Sequence, residues 1–164
     1  MDGTPFGRYR LIELLGRGGM GEVWLAFDTG TKRTVALKVL PESFAYDKRF
    51  VQRFTREAEA AARLNNPHII PIHNYGEIDG RLYVDMRYVE GSDLDQVLAD
   101  GPLEPQRAVR IIEEGAKALH AAHKVGLVHR DIKPFNILLD EEDFAYRIDF
   151  GIARSSDDTQ TRGG

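Results

Sequence analysis

The chain has 164 residues, of which 42% are hydrophobic and 29% are charged, and its formal net charge is -4. Since it contains no cysteine, disulfide frameworks, thiolate metal sites and thiol catalysis are excluded. No stripe of Lys and Arg indicates a nucleic-acid surface, and no segment reaches the roughly 20 apolar residues of a membrane span.

The first 90 residues are β-rich in pattern and contain one helix. Five strands are predicted, at residues 9–15, 22–27, 34–40, 69–75 and 82–86. The glycine-rich stretch GRGGMG joins the first two strands, and the turn Asp79-Gly80 joins the last two. Between the third and fourth strands the period becomes helical over residues 48–64. One apolar face of this helix is formed by Phe50, Phe54, Ala61 and Leu64.

The remaining residues, 91–164, are mainly helical in pattern. Ser92 can cap a short helix that reaches Leu98. A long amphipathic helix is predicted over residues 105–124, with a buried side formed by Ala108, Ile112, Ala116, Leu119 and Ala122. Short apolar segments follow at residues 127–128, 137–139 and 146–148. The acidic run at residues 140–143 lacks the spaced ligands of a calcium loop, so a solvated turn is favoured.

The first motif with chemical meaning is the glycine pattern of Gly16, Gly18 and Gly21, followed by Val23. Glycines let the backbone turn sharply and approach phosphate oxygens closely. The dinucleotide-binding version of this pattern needs a helix directly after the glycines, whereas a strand is predicted here. A phosphate-binding loop is therefore favoured over a dinucleotide fold, and a glycine-rich hairpin turn remains the alternative.

A second feature links Lys38 on the third strand with Glu57 on the first helix. Strand alternation places Ala36 and Lys38 on one face and the neighbouring valines and leucine on the other. Glu57 falls within the apolar stripe of its helix, and a carboxylate there needs a partner. An ion pair between Lys38 and Glu57 would hold the ammonium group for a phosphate, although a single strand lysine is more often merely solvated.

The strongest motif is HRDIKPFN at residues 129–136, followed by DFG at residues 149–151. Phosphoryl transfer needs positioning and charge neutralisation more than covalent chemistry. An aspartate can orient the attacking hydroxyl and accept its proton, and carboxylate and amide oxygens can hold magnesium. The ordered set of glycine loop, strand lysine, helix glutamate and these two motifs predicts a phosphotransferase.

With these motifs the chain resembles the eukaryotic-like protein kinase family over residues 7–161. Lys133 is typical of the serine/threonine branch. The phrases GRGGMGEV, REAEAAARL and LYVDMRYVEG are most similar to bacterial, especially actinobacterial, receptor-type kinases. The resemblance implies an α+β, protein-kinase-like fold. Residues 1–90 would form a complete N-terminal β-sheet lobe with one helix, and residues 91–164 the first part of the helical C-terminal lobe.

The resemblance also assigns roles to single residues. Asp131 would be the catalytic base, Lys133 would contact the γ-phosphate, and Asn136 with Asp149 would bind Mg²⁺. The remaining ATP-binding residues would be Leu15, Gly16, Gly18, Gly19, Gly21, Val23, Ala36, Lys38, Glu57, Met86, Arg87, Val89, Asp93 and Leu138. Among these, Met86 would be the gatekeeper beside the adenine.

The implied function is transfer of the ATP γ-phosphate to Ser or Thr hydroxyls of proteins, in the cytoplasm. Relatives are often membrane-anchored, with a cytoplasmic kinase domain. The family pattern continues beyond residue 164, so we expect the activation segment and later helices to be missing from this chain. Two alternatives therefore remain: an inactive nucleotide-binding fragment, and a fragment that dimerises or pairs with a full-length kinase through its N-terminal lobe.

Overall fold

The structure, a computed structural model, describes residues 3–18, 21–126 and 137–147. The chain divides into two compact units. The first contains the described residues up to 59, together with residues 72–88. The second contains residues 60–71 and the described residues from 89 onwards.

The first unit is built on a six-stranded antiparallel sheet. Its strands are β1 (Thr4–Phe6), β2 (Tyr9–Gly18), β3 (Gly21–Asp28), β4 (Arg33–Val39), β5 (Ile72–Ile78) and β6 (Arg81–Arg87), arranged in the order β1-β2-β3-β4-β6-β5. The five predicted strands are present. The strand predicted at residues 69–75 begins later, at Ile72, and the N–H of Ile69 instead closes a turn on the carbonyl oxygen of Asn66. The short β1 was not predicted.

Most of helix α1 (Lys48–Ala62) belongs to the first unit, and its last three residues belong to the second. A short 3-10 helix at Glu42–Tyr46 precedes it. Asp47 caps α1, since its Oδ1 accepts the backbone N–H groups of Arg49 and Phe50 at 3.0 and 3.2 Å. The predicted apolar face is confirmed, with Phe50, Phe54, Ala58 and Ala61 buried. Leu64 is half-buried and lies beyond the end of the helix.

The second unit combines a three-stranded sheet with two helices. The elements are β7 (Gly91–Asp93), α2 (Leu94–Ala99), α3 (Pro105–Lys124), β8 (Ile137–Asp140) and β9 (Ala145–Arg147). The strands follow the order β7-β8-β9, and both pairs are antiparallel. A small core is formed by Leu94, Ile111, Ile137, Leu139 and Ala145.

Two details predicted for the second unit are wrong. The N-cap of α2 is Asp93 rather than Ser92, because the Asp93 carboxylate accepts the N–H of Gln96 at 2.7 Å. On α3 the predicted burial of Ala122 is confirmed, but the other buried residues are Ile111 and Ala118, whereas Ile112 is 69% exposed and Ala116 is exposed as well. The packed face is therefore rotated from the one that apolar spacing indicated. The apolar segment at residues 127–128 lies outside the described residues.

Candidate active site

Four of the predicted ATP-binding residues share one face of the six-stranded sheet. The register pairs Val23 with Lys38 and Ala36 with Met86, and directly paired residues project to the same side. All four are half-buried. A half-buried face that carries one lysine among apolar side chains suits a ligand with an apolar part and an anionic part.

The opposite face of the same strands is closed by core residues. On β4, Val35, Leu37 and Val39 are at most 1% exposed, and they pack with Tyr9 and Tyr83. The predicted alternation of β4 is therefore confirmed. Among the described residues, the side of β4 that carries Ala36 and Lys38 is thus the less buried of its two sides.

Two residues of the ligand-facing side were not singled out from the sequence. Leu25 pairs with Ala36, and Val84 pairs with Lys38. Strand alternation was the available signal, but the register between strands distant in sequence cannot be read from it. Leu25 is half-buried and extends the apolar surface around the lysine, whereas Val84 is 2% exposed and offers a ligand almost no surface.

The glycine loop connects β2 to β3 with room for a ligand. Around Gly16 and Gly18 no atom lies within 4 Å of where a Cβ would stand. Gly21 differs, because its φ is +107° and a Cβ there would collide with the carbonyl oxygen of Val39. Thus one glycine is required by the fold, while two leave their backbone accessible, which fits the approach of phosphate oxygens. Leu15 is 44% exposed beside them, and Gly19 lies outside the described residues.

Glu57 lies on the inner part of α1 and has an unsatisfied oxygen. Its Oε2 is buried and accepts no hydrogen bond in the part of the chain that the structure describes. Burial raises the pKa of this carboxyl above its usual value, while Arg53 and Arg56 oppose that change. The ion pair predicted with Lys38 is not made through Oε2, so the pairing remains a prediction.

The other ATP-binding predictions are distributed over both units. Arg87 is exposed at the end of β6 in the first unit, and Val89 is half-buried in the second. In the second unit Asp93 and Leu138 are direct partners across β7 and β8. Asp93 uses Oδ1 as the helix cap, and its Oδ2 is not used by that capping bond.

The predicted catalytic and metal-binding residues Asp131, Lys133, Asn136 and Asp149 lie outside the described residues. Within residues 3–18, 21–126 and 137–147, no group of three or more acidic, His or Cys side chains could hold a metal ion. The donors predicted for Mg²⁺ are one amide and one carboxylate, and such hard oxygen ligands suit that ion.

Comparison with known proteins identifies relatives of the whole chain. Residues 9–162 match the protein kinase domain family. Serine/threonine-protein kinase PknE of Mycobacterium tuberculosis strain H37Rv is 54% identical over 158 residues, which are 96% of this chain and 28% of that protein. PknH of the same strain is 54% identical over 157 residues, or 95% of this chain and 25% of that protein. The chain thus spans about a quarter of the length of these curated relatives.

Solved structures show the same fold. The crystal structure of the M. tuberculosis PknI kinase domain matches with a TM-score of 0.83 and 41% identity, over 94% of this chain and 62% of that one. The structure titled PpkA-294 apo form matches with a TM-score of 0.80 and 28% identity, over 98% of this chain and 66% of that one. The predicted protein-kinase-like α+β fold is therefore confirmed.

Proposed function

Because the chain belongs to the protein kinase family, we propose that it binds Mg²⁺-ATP and carries the residues that pass the γ-phosphate to Ser or Thr hydroxyls of proteins. One observation supports this most: Val23, Ala36, Lys38 and Met86 share a half-buried sheet face. The accessible glycine backbone, at the end of β2 that pairs with Val23, belongs to the same unit.

In this proposal the adenine lies against the apolar part of the face and the phosphates lie near Lys38. Leu15, Val23, Ala36 and Met86 would cover the base in the first unit. The backbone of Arg87 would bind the adenine edge, while the ATP contacts predicted for Val89 and Leu138, which belong to the second unit, remain predictions. The free oxygen of Asp93 would accept a ribose hydroxyl, while the other oxygen keeps its capping role. The backbone of Gly16, Gly18, Gly19 and Gly21 would bind the phosphates.

The transfer step assigned to the catalytic loop balances simply. The acceptor hydroxyl oxygen forms a bond to the γ-phosphorus, the bond to the β–γ bridging oxygen breaks, and ADP leaves. The hydroxyl proton passes to Asp131, and Lys133 stabilises charge on the transferred group. Asn136 and Asp149 would hold Mg²⁺, which neutralises phosphate charge when bound.

In this proposal Glu57 pairs with Lys38 when the nucleotide is bound. A buried carboxylate oxygen without a donor is unfavourable in the ligand-free protein, and a donor supplied in the ligand-bound state would favour that state. We assign that role to the Lys38 ammonium group when the α- and β-phosphates are bound. The orphaned Oε2 supports this assignment, because a purely structural carboxylate would already be hydrogen-bonded.

Partners and location are proposed on the same basis. The substrates would be proteins with Ser or Thr acceptors, and cytoplasmic ATP would be the phosphate donor. None of the helices in the described part of the chain is long and apolar enough to cross a bilayer. Pairing of two copies, or of this chain with a longer kinase, through the first unit remains a prediction, which sedimentation velocity of the purified chain would test.

The direct test is incubation of the purified chain with Mg²⁺, γ-labelled ATP and a generic acceptor protein. Lys38→Met is expected to lower incorporation by about 100-fold, because one phosphate-binding cation is lost. Asp131→Asn should abolish incorporation, because the proposed catalytic base is lost. Lys117→Met is the matched control, since Lys117 is an exposed lysine on α3, and it should leave incorporation unchanged.

Each result has a defined reading. Incorporation that depends on Lys38 and Asp131 but not on Lys117 supports the kinase assignment. Mg²⁺-ATP-dependent thermal stabilisation without any incorporation would instead favour the nucleotide-binding fragment. Absence of both transfer and nucleotide binding would reject the proposal.

A further inference from the structure

The turn between β8 and β9 contains the acidic run at residues 140–143. The predicted solvated turn is right for Glu141 and Glu142, which are exposed, but wrong for Asp143, which two arginines bind. Asp143 has a φ of +64°, a conformation that aspartate tolerates better than most residues do. Asp140 closes the turn locally, because its Oδ1 accepts the N–H groups of Glu142 and Phe144, both at 2.9 Å.

Asp143 is held by two consecutive turns of α3. Arg107 donates through Nε to Oδ2 at 2.8 Å and through Nη2 to Oδ1 at 2.6 Å, which makes a bidentate pair. Arg110 donates to the Asp143 carbonyl oxygen at 2.7 Å and also to Oδ2. The hydrogen bond from Arg107 lowers the pKa of Asp143, so the carboxylate stays charged at neutral pH.

A second attachment holds the strand that follows this turn. The N–H of Ala145 donates to Glu114 Oε2 at 3.0 Å, and its carbonyl accepts from His68 Nδ1 at 2.9 Å. β9 pairs with β8 along its other edge, so these two side chains bind backbone groups that the β8 pairing does not use. The His68 ring also stacks on Phe144 at 4.4 Å between centroids. Arg110 reaches Glu114 at 3.3 Å and joins the two attachments.

These contacts hold the hairpin that connects Asn136 to Asp149 in the sequence. Asn136 directly precedes β8, and Asp149 comes two residues after the end of β9. The hairpin is therefore the covalent connection between the two Mg²⁺ ligands of the proposed function. Nothing in the proposed chemistry uses Arg107, Arg110, Glu114 or Asp143, yet these four residues fix the hairpin to the longest helix of the unit.

We propose that Arg107, Arg110, Glu114 and Asp143 form a clamp whose task is to position the two Mg²⁺ ligands that flank the hairpin. The inference rests on the proposed function and names four positioning residues for it. Groups that orient metal ligands typically contribute about 10–100-fold to metal affinity. The clamp should therefore affect Mg²⁺-dependent nucleotide binding far more than binding of the nucleotide alone.

The test compares nucleotide affinity with and without Mg²⁺ for the 164-residue chain, by titration of a fluorescent ATP analogue. Asp143→Asn keeps the size of the side chain and tolerates a positive φ, but it loses the charge that both arginines bind. The matched control is Asp79→Asn. Asp79 is also an aspartate at positive φ (+51°) in a hairpin turn, but it is exposed and makes no ion pair within the described residues.

We expect Asp143→Asn to reduce the gain in affinity that Mg²⁺ produces by about 10-fold or more, with Mg²⁺-free binding unchanged. Asp79→Asn should match the wild type in both conditions. Glu114→Ala should act in the same direction as Asp143→Asn, and Glu114→Gln, which keeps an acceptor for the Ala145 N–H, should restore most of the loss.

The contrary results are distinct. An unchanged Mg²⁺ effect in Asp143→Asn overturns the clamp while leaving the kinase proposal intact. Equal loss of binding with and without Mg²⁺ also overturns it, because that pattern indicates general destabilisation. A wild-type chain that shows no Mg²⁺-dependent nucleotide binding rejects the proposed function itself, and the clamp with it.

Discussion

The buried carboxylate oxygens of the first unit differ in whether they accept hydrogen bonds. Beneath the sheet, Asp28 and Asp85 are fully buried and fully supplied with donors. On α1, Glu57 buries Oε2 with no donor among the described residues. The first arrangement is what a stable fold requires of a buried charge, and the second is not. The contrast separates two carboxylates that hold the sheet from one that the proposed function assigns to the ligand-bound state.

The donors to Asp28 and Asp85 include groups that are distant in sequence. Tyr9 donates its hydroxyl to Asp85 at 2.8 Å, and Arg8 donates to Asp28 at 3.1 Å. His73 approaches the other Asp85 oxygen at 3.4 Å. Burial and the hydrogen bond to Asp85 raise the pKa of Tyr9 well above its usual value, so its hydroxyl remains a donor throughout the accessible pH range.

The largest effect is expected from Asp85→Ala. The change leaves the buried Tyr9 hydroxyl without its acceptor and removes a negative charge 3.9 Å from Arg8. We expect a loss of about 3 kcal/mol in the free energy of unfolding at pH 7, measured by urea denaturation. Tyr9→Phe, which removes only the hydroxyl, should cost about 1–2 kcal/mol. Stability within error of wild type for both variants would show that the network does not hold the sheet.

Glu57→Gln is expected to destabilise the protein far less than Asp85→Ala does, or to stabilise it. The amide carries no charge to bury, so the free energy of unfolding at pH 7 should rise, or fall by less than about 1 kcal/mol. Phosphate transfer should nevertheless drop sharply, because the amide cannot pair with Lys38. The control is Glu59→Gln, two residues away on the exposed side of α1. If Glu57→Gln destabilises as strongly as Asp85→Ala, the contrast between the two carboxylates fails.

The features predictable from sequence were those with a local period. Alternation along β4 separated Lys38 from the core, and the stripe of α1 exposed Glu57 as an anomaly, because both patterns need only a few neighbouring residues. The motif residues 129–136 and 149–151 were equally visible as a pattern. These patterns could not predict which residues bind each other across the fold. For example, Tyr9 donates to Asp85, which is 76 residues away in sequence.

The wrong face of α3 has the same physical origin. Arg107, Arg110 and Glu114 are spaced at offsets 0, 3 and 7, so they share the side of the helix that carries the buried Ile111. Their charge made that side look solvent-facing. It is instead the packed side, because Asp143, 36 residues after Arg107, pairs with both arginines, and Glu114 also pairs with Arg110. Charged residues therefore do not show which side of a helix faces solvent unless their ion-pair partners are known.

The smallest expected effect is a difference in how Asp28 and Glu57 make the free energy of unfolding depend on pH. Burial alone would raise the pKa of Asp28, but donors from Thr31 and Gly30, together with Arg8, hold it below its usual value. Asp28 therefore adds stability that is complete above its ordinary pKa and is lost as the pH falls through its lower folded value. Burial raises the pKa of Glu57 instead, so its contribution is most favourable at low pH and is lost as the pH rises through the folded value.

Urea unfolding of the wild type, Asp28→Asn and Glu57→Gln between about pH 3 and 8 separates the two carboxylates. The stability difference between wild type and Asp28→Asn should increase with pH, while that between wild type and Glu57→Gln should decrease. Slopes of the same sign would mean that Glu57 finds a donor in the ligand-free protein. In that case its unsatisfied oxygen would no longer support a role with Lys38.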